Sequence, residues 1–218
     1  MPTRRIPVVE RIFRANEGVA SEVRALCREH GVTLVNIMAS PGAGKTTFLL
    51  ATAHALADRF RIAVIEGDVA STVDSDRVRS EGFPAIQINT GGGCHLDARQ
   101  VRGALDELDL DQFDLVLVEN VGNLVCPVGF DLGESLRIAL SSVPEGWDKP
   151  LKYPAIFQRT DAVVLNKIDL MPHLAFDEAE FRRLVQGLNP GVPVISVSST
   201  EGTGILEWTT WLADQLSS

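Results

Sequence analysis

The chain has 218 residues, 45% of them apolar and 22% charged, the proportions of an ordinary globular protein able to fill one hydrophobic core. Its formal net charge of −9 argues against a general nucleic-acid binder, which would carry a basic footprint. No apolar run is long enough to span a bilayer, and three cysteines make no even-numbered disulfide framework.

At the start of the chain, Met1–Arg5 are basic, but Ile6-Pro7-Val8-Val9 is too short for the apolar part of a signal peptide. A cytoplasmic protein with no membrane or nucleic-acid role is therefore expected. From Val8 to His30, apolar residues at Val9, Ile12, Phe13, Val19, Val23 and Leu26 recur at helical spacing, with Gly18 as an interruption. One or two helices are expected, stopped at Gly31. Cys27 falls in this stretch and reads as a packed small side chain.

The apolar run Val32–Met38 reads as a strand and leads into Ala39-Ser40-Pro41-Gly42-Ala43-Gly44-Lys45-Thr46-Thr47, after which Phe48–Ala53 is helix-like. Strand, glycine-rich turn and helix is the context a phosphate-binding P-loop needs. Gly42 and Gly44 let backbone N–H groups approach phosphate oxygens, and the helix start adds unpaired N–H groups. Pro41, Gly42, Ala43, Gly44, Lys45, Thr46 and Thr47 are the candidate phosphate-binding residues. Lys45 would carry charge to the β- and γ-phosphates, and the Thr46 hydroxyl would hold Mg²⁺. Ala39 stands where the motif's first glycine belongs, so this is a variant. The plain alternative is an ordinary Gly-rich turn followed by a chance Lys-Thr.

A second buried strand, Arg61–Glu66, ends in Gly67-Asp68 and is followed by the polar stretch Val69–Asp76. Ligands of α/β sheets sit at the carboxyl ends of strands, so Asp68 is placed to hold Mg²⁺ or orient the attacking water. Helix-capping aspartates in a solvated loop would look the same, and Asp74 is left open. Pro84–Ile88 reads as a strand, Arg99–Leu108 as a helix and Asp114–Val118 as a further strand. Glu119 ends that strand as a metal-directed carboxylate would, and Gly122 sits where a γ-phosphate-sensing glycine is expected. Lys45, Asp68 and Glu119 are the candidate catalytic residues, with Thr46, Asp68 and Glu119 as the Mg²⁺ set.

Trp147–Phe157, rich in Pro and aromatics, reads as a mobile or interfacial loop. Asp161–Leu165 is a strand delivering Asn166-Lys167-Ile168-Asp169, the N-K-x-D pattern that reads guanine. The Asp169 carboxylate would accept from N1–H and the 2-amino group, which adenine cannot offer. Lys167 would cover the base and Asn166 brace the loop. After the last strand, Val194–Val197, the residues Ser198, Ser199 and Thr200 lie where the far side of the base is bound. Ile205–Leu216 closes the chain as an amphipathic helix. The alternation of strand and helix gives an α/β fold, a three-layer P-loop NTPase with a largely parallel sheet covered on both faces. Residues 1–218 are expected to form one GTPase domain with 1–31 as a helical lead-in.

Cys94-His95 and Cys126 follow the ends of predicted core strands, on the same edge of the sheet as the nucleotide. Thiolate and imidazole suit Zn²⁺ or Ni²⁺ rather than Mg²⁺. Three ligands leave a position for water or for a second subunit. Spacing alone serves equally well two buried cysteines and a helix-capping histidine. A catalytic Cys-His pair is disfavoured, because adjacent side chains rarely point together.

Together, Ser40–Thr46, Glu66-Gly67-Asp68, Cys94–Ala98, Glu119–Pro127, Lys149–Pro154 and Asn166–Asp169 resemble the hydrogenase nickel-incorporation GTPase family, HypB. The resemblance runs from about Val8 to the C-terminus, and the cysteine blocks are its most diagnostic part. It implies GTP or GDP with Mg²⁺ as nucleotide, and Cys94, His95 and Cys126 as ligands of nickel or zinc near a dimer interface formed in the GTP state. It further implies hydrolysis coupled to nickel delivery into [NiFe]-hydrogenase, with a nickel-binding maturation partner and the hydrogenase large subunit as partners. The family's N-terminal cysteine motif and histidine-rich stretch have no counterpart here, so tight binding or storage of nickel is not expected to carry over. The rivals are a urease-type nickel GTPase, whose metal motif is Cys-Pro-His, a metal-binding module with a structural nucleotide, and a small-molecule kinase, which N-K-x-D disfavours.

Overall fold

A computed structural model describes residues 8–68 and 73–216, with side chains in the first helix from Phe13 onward. Thr72 and the other residues from 69 to 72 lie outside it, as do the basic residues at the start. Seven strands form one sheet in the order β3-β2-β4-β1-β5-β6-β7. These are β1 (Thr33–Ala39), β2 (Ile62–Asp68), β3 (Ala85–Asn89), β4 (Leu115–Glu119), β5 (Leu136–Ser142), β6 (Ala162–Asn166) and β7 (Val194–Ser196). Every strand pair is parallel, as buried, two-sided apolar strands require.

Among the described residues the α-helices are α1 (Val8–Glu29), α2 (Lys45–Leu56), α3 (Val73–Ser80), α4 (Ala98–Asp106), α5 (Lys149–Lys152), α6 (Pro154–Phe157), α7 (Glu178–Leu188) and α8 (Ile205–Leu216). Alternate residues of each strand serve opposite faces. Val35 and Ile37 of β1 pack with Phe48 and Leu49 of α2 and Trp208 and Leu212 of α8. Leu34 faces the other way, with Val23 of α1 and Val101 and Leu105 of α4. Met38 joins Ala139, Val163 and Phe157, Phe181 and Val185 of α6 and α7. Trp208 also donates its indole N–H to Thr52 Oγ1 at 2.9 Å, pinning α8 to α2.

Of the one or two helices expected in the first segment there is one: α1 runs through Gly18, where nothing would crowd a side chain. The stretch 147–157 is not a loop but the two short helices α5 and α6, with Ile156 and Phe157 buried. Leu136–Ser142, assigned no structure from sequence, is the strand beside β1.

Candidate nucleotide and metal sites

Ala39 is fully buried as the last residue of β1, paired with Leu140 of β5, which explains why the motif's first glycine is dispensable. The backbone is still extended there and needs no positive φ. Gly42 and Gly44 do need it, at φ 78° and 92°. A Cβ on Gly44 would also lie 2.8 Å from Asn166 Nδ2. At the start of α2, Thr46 donates its hydroxyl to Glu119 Oε1 at 3.1 Å, and Lys45 Nζ is 4.0 Å from the same oxygen.

Glu119 ends β4 opposite Glu66 of β2. Oxygens of Glu66, Asp74 and Glu119 all lie within 4.8 Å of one another. Burial, and then the charge of Glu119, push the Glu66 carboxyl up to about 9, and burial pushes Glu119 up to about 7 despite Lys45. Glu66 Oε1 and Glu119 Oε2 are buried and accept no hydrogen bond. Such orphaned oxygens are costly unless a cation joins them, and an all-oxygen set with a threonine hydroxyl suits Mg²⁺. These carboxylates line a cavity of about 270 Å³ together with Pro41, Lys45, Asp68 and Gly122. Asp68, half-buried as the final residue of β2, thus lies in the same cavity as Lys45 and Glu119.

The far end of the P-loop is tied to the N-K-x-D and Ser198–Thr200 segments. Asn166 Nδ2 donates to the Ala43 carbonyl at 3.0 Å, while its Oδ1 accepts from the Ser199 N–H and hydroxyl at 3.2 and 2.8 Å. Lys167 Nζ donates to the Gly42 carbonyl at 2.7 Å. Among the described residues Lys167 is the one non-glycine with positive φ, at 61°, a conformation that costs energy and is held by its surroundings. Ser198 donates to Asp169 Oδ1 at 2.6 Å. A cavity of about 130 Å³ lies between Gly44, Thr47, Asn166, Lys167, Ser199 and Thr200.

Cys94, His95 and Cys126 come together, their ligand atoms within 4.8 Å of one another. Cys94 is exposed and the other two are half-buried. Despite their adjacency, Cys94 Sγ and His95 Nδ1 approach to 3.4 Å. The His95 ring lies on Phe130, centroids 3.9 Å apart, and burial lowers its pKa, keeping the imidazole neutral as a ligand must be. A hydrogen bond with Cys126 raises the Cys94 thiol. The loops are held locally: Asp97 and Gln100 make a capping box at the start of α4, and Asn123 Oδ1 accepts from Val125 N at 2.8 Å and Cys126 N at 3.4 Å. Cys27 is buried elsewhere, its thiol pushed up to about 11 by burial.

Sequence reasoning passed over Glu66 and left Asp74 open. The signal for Glu66 was present, since a carboxylate at the end of a buried apolar strand needs a partner. Lys149 was missed as well: it bonds Ser40 Oγ of the P-loop at 3.2 Å and pairs with Glu145 at 3.1 Å.

Residues 33–196 match the CobW/HypB/UreG nucleotide-binding domain. The chain is 46% identical over 213 residues to the hydrogenase maturation factor HypB of Azotobacter vinelandii, covering 98% of this chain and 70% of that protein. It is 39% identical over 216 residues to the hydrogenase/urease maturation factor HypB of Helicobacter pylori strain J99, covering 96% and 88%. The crystal structure of HypB from Helicobacter pylori in complex with nickel superposes with a TM-score of 0.89 at 38% identity, covering 93% and 95% of the two chains. With the glycine-rich loop, the N-K-x-D loop and the sulfur–imidazole cluster all on one sheet edge, this chain belongs to the CobW/HypB/UreG nucleotide-binding family and, within it, to the HypB hydrogenase maturation factors.

Proposed function

We propose that this chain is a GTPase that uses its nucleotide state to control a sulfur–imidazole site from which nickel is delivered during [NiFe]-hydrogenase maturation. The observation that carries this reading is the segment after β4. Within eight residues it supplies Glu119 to the phosphate cavity and Cys126 to the metal cluster. A change of nucleotide that moves this segment alters both sites, an order–disorder switch of a familiar type.

In this reading Lys45 and the N–H groups of residues 41–47 hold the phosphates of GTP. Thr46, Asp68 and Glu119, with Glu66 and Asp74 beside them, hold Mg²⁺, whose charge offsets that building on the transferred phosphoryl group. Lys45 supplies further charge at the same place, and Asp68 and Glu119 are positioned to orient water. Asp169 selects guanine, Asn166 and Ser199 hold the base loop, Lys167 covers the base, and Ser198 and Thr200 fix the Asp169 side. Nickel, or zinc in its place, is the cargo of Cys94, His95 and Cys126. Those three protein ligands leave a position open for water or for a second copy of the chain in a GTP-state homodimer. The complete reading is one GTPase unit over residues 1–218, cytoplasmic, passing nickel between a nickel-binding maturation partner and the hydrogenase large subunit.

The test is a nickel and zinc titration with GDP and with a non-hydrolysable GTP analogue, on the wild type and Cys94→Ala. Metal affinity and sedimentation should both depend on the nucleotide, and Cys94→Ala should lose the metal while keeping GDP. Equal affinity and equal sedimentation in both states would overturn the coupling. The joint hydrogenase/urease name of the Helicobacter pylori relative supports a second reading, delivery to urease. Activation of purified apo-urease, but not apo-hydrogenase, would favour it.

A further inference from the structure

Asn120 lies between the two sites and belongs to neither. It is fully buried directly after Glu119, at the end of β4. The residues around it touch the phosphate loop. Glu119 accepts the Thr46 hydroxyl. Gly122 packs so closely on Pro41 that a Cβ there would lie 3.1 Å from the proline nitrogen.

The Asn120 side chain reaches the metal loop instead. Its Oδ1 accepts the N–H of Leu96 at 3.1 Å and of Val121 at 2.9 Å, and its Nδ2 donates to Asn36 Oδ1 at 3.2 Å. Asn36, buried in β1, donates in turn to Glu134 Oε1 at 3.2 Å, and Glu134 is held by Arg137 Nε and Leu132 N, each at 2.6 Å. The carboxamide is thus fixed from the sheet interior. Leu96 follows His95 and is itself wedged against the nucleotide strand, since a Cβ on Gly67, between Glu66 and Asp68, would meet its side chain at 2.8 Å. Removing the carboxamide orphans the buried Leu96 N–H, and an unsatisfied buried donor is costly.

We infer that Asn120 is the positioning residue through which the nucleotide site sets the geometry of Cys94, His95 and Cys126. Its amide ties the backbone beside His95 to the strand end that carries Glu119, so a displacement of that strand end is passed to the imidazole. The inference rests on the nucleotide-controlled nickel site proposed above. Asn16 supplies the contrast. From α1 it holds the same loops, its Oδ1 accepting from Ala98 N at 2.9 Å and its Nδ2 donating to the Asp131 carbonyl at 2.7 Å. Its bonds reach the metal loops without passing through β4.

The experiment titrates nickel ions into the full chain loaded with GDP or a non-hydrolysable GTP analogue, for the wild type, Asn120→Ala and Asn16→Ala. Coupling between sites commonly amounts to roughly 5- to 150-fold in affinity, so the wild type should show at least about a fivefold difference. Asn16→Ala should weaken nickel in both states and keep the ratio. Asn120→Ala should bring the ratio to within about twofold of one while GDP affinity stays near the wild-type value. By reciprocity, its preference between nucleotides should also stop responding to nickel. Asn120→Ser, whose hydroxyl is too short to reach both N–H groups, gives the same readout should the alanine variant fail to fold. Retention of the wild-type ratio in a folded Asn120 variant overturns the inference. A wild type with no ratio defeats the nucleotide-controlled site itself, and the inference with it.

Discussion

At the phosphate end of the sheet edge, Glu66 and Glu119 are only 2% and 5% exposed, and the surrounding loops are bound to one another by side-chain hydrogen bonds. At the metal end, Cys94 is exposed, and the cluster rests on a ring stack, a capping box and the side chains of Asn16, Asn120 and Asn123. The first region is buried and held from several sides before any ligand arrives, as electrostatic stabilisation of a transferring phosphoryl group requires. The second keeps its ligands accessible, as a site that must give up its cargo requires. Retention and release are therefore divided between two ends of one edge, and Glu119–Cys126 is the chain that joins them.

The largest effect expected comes from the phosphate end. Lys45→Ala should slow single-turnover GTP hydrolysis by about 10²–10³-fold or more, the scale of losing one preorganised charge or donor. Nickel affinity of the nucleotide-free variant should be unchanged, and a parallel fall in nickel binding would erase the division drawn above. Asp169→Asn should be nearly as damaging to affinity. Two charge-assisted hydrogen bonds of about 1.5–3 kcal/mol each would be lost, giving at least about 10²-fold weaker GDP binding by competition. The loss should be confined to guanine nucleotides.

Cys126→Ser tests the other end. Losing a thiolate should weaken nickel by at least about 10- to 100-fold, since even changes outside the ligand shell reach that range. Metal-free GTP hydrolysis should stay within about twofold of wild type. If hydrolysis falls as well, the metal loop contributes to the phosphate site directly, and the two regions act as one.

The difference between the regions also explains what could be read without coordinates. The P-loop, N-K-x-D and the cysteine blocks are local patterns, and β1, β2, β4 and β6 are apolar runs that lead into motifs. β5 was missed because its apolar residues Leu136, Ile138, Ala139 and Leu140 are broken by Arg137 and followed by two serines, and no motif follows it. Its Arg137 and Ser142 are satisfied by Glu134 and Glu145, contacts no hydropathy pattern announces. Asn16, Asn36 and Asn120 looked like ordinary polar residues for a similar reason: apart from the Val121 N–H beside Asn120, their partners lie 24 to 115 residues away. Lys149 was quoted within a motif, yet its reach to Ser40 depends on α5 folding against the P-loop.

The smallest predicted effect is on stability, and it isolates the buried carboxylate pair. In the folded, ligand-free chain Glu66 is raised to about 9 and Glu119 to about 7, from an ordinary value of 4.5. The native state then binds more protons than the unfolded chain at neutral pH, so stability falls as pH rises toward the folded values. His95, whose pKa is lowered, acts in the opposite sense, but only below its ordinary value of 6.5. Cys27, raised to about 11 from 9.0, and Cys94, raised from the same ordinary value, begin to matter only as the pH nears 9. Between pH 7 and 9 the slope therefore belongs chiefly to the Glu66–Glu119 pair. A loss on the order of 1–2 kcal/mol should lower the melting temperature by a few degrees for a chain of this size. Glu66→Gln, which keeps the shape and cannot ionise, should flatten that slope, whereas Cys94→Ser should leave it in place. A slope unchanged in Glu66→Gln would mean that the phosphate end is wetter than its burial indicates, and the contrast between the two regions would lose its physical basis.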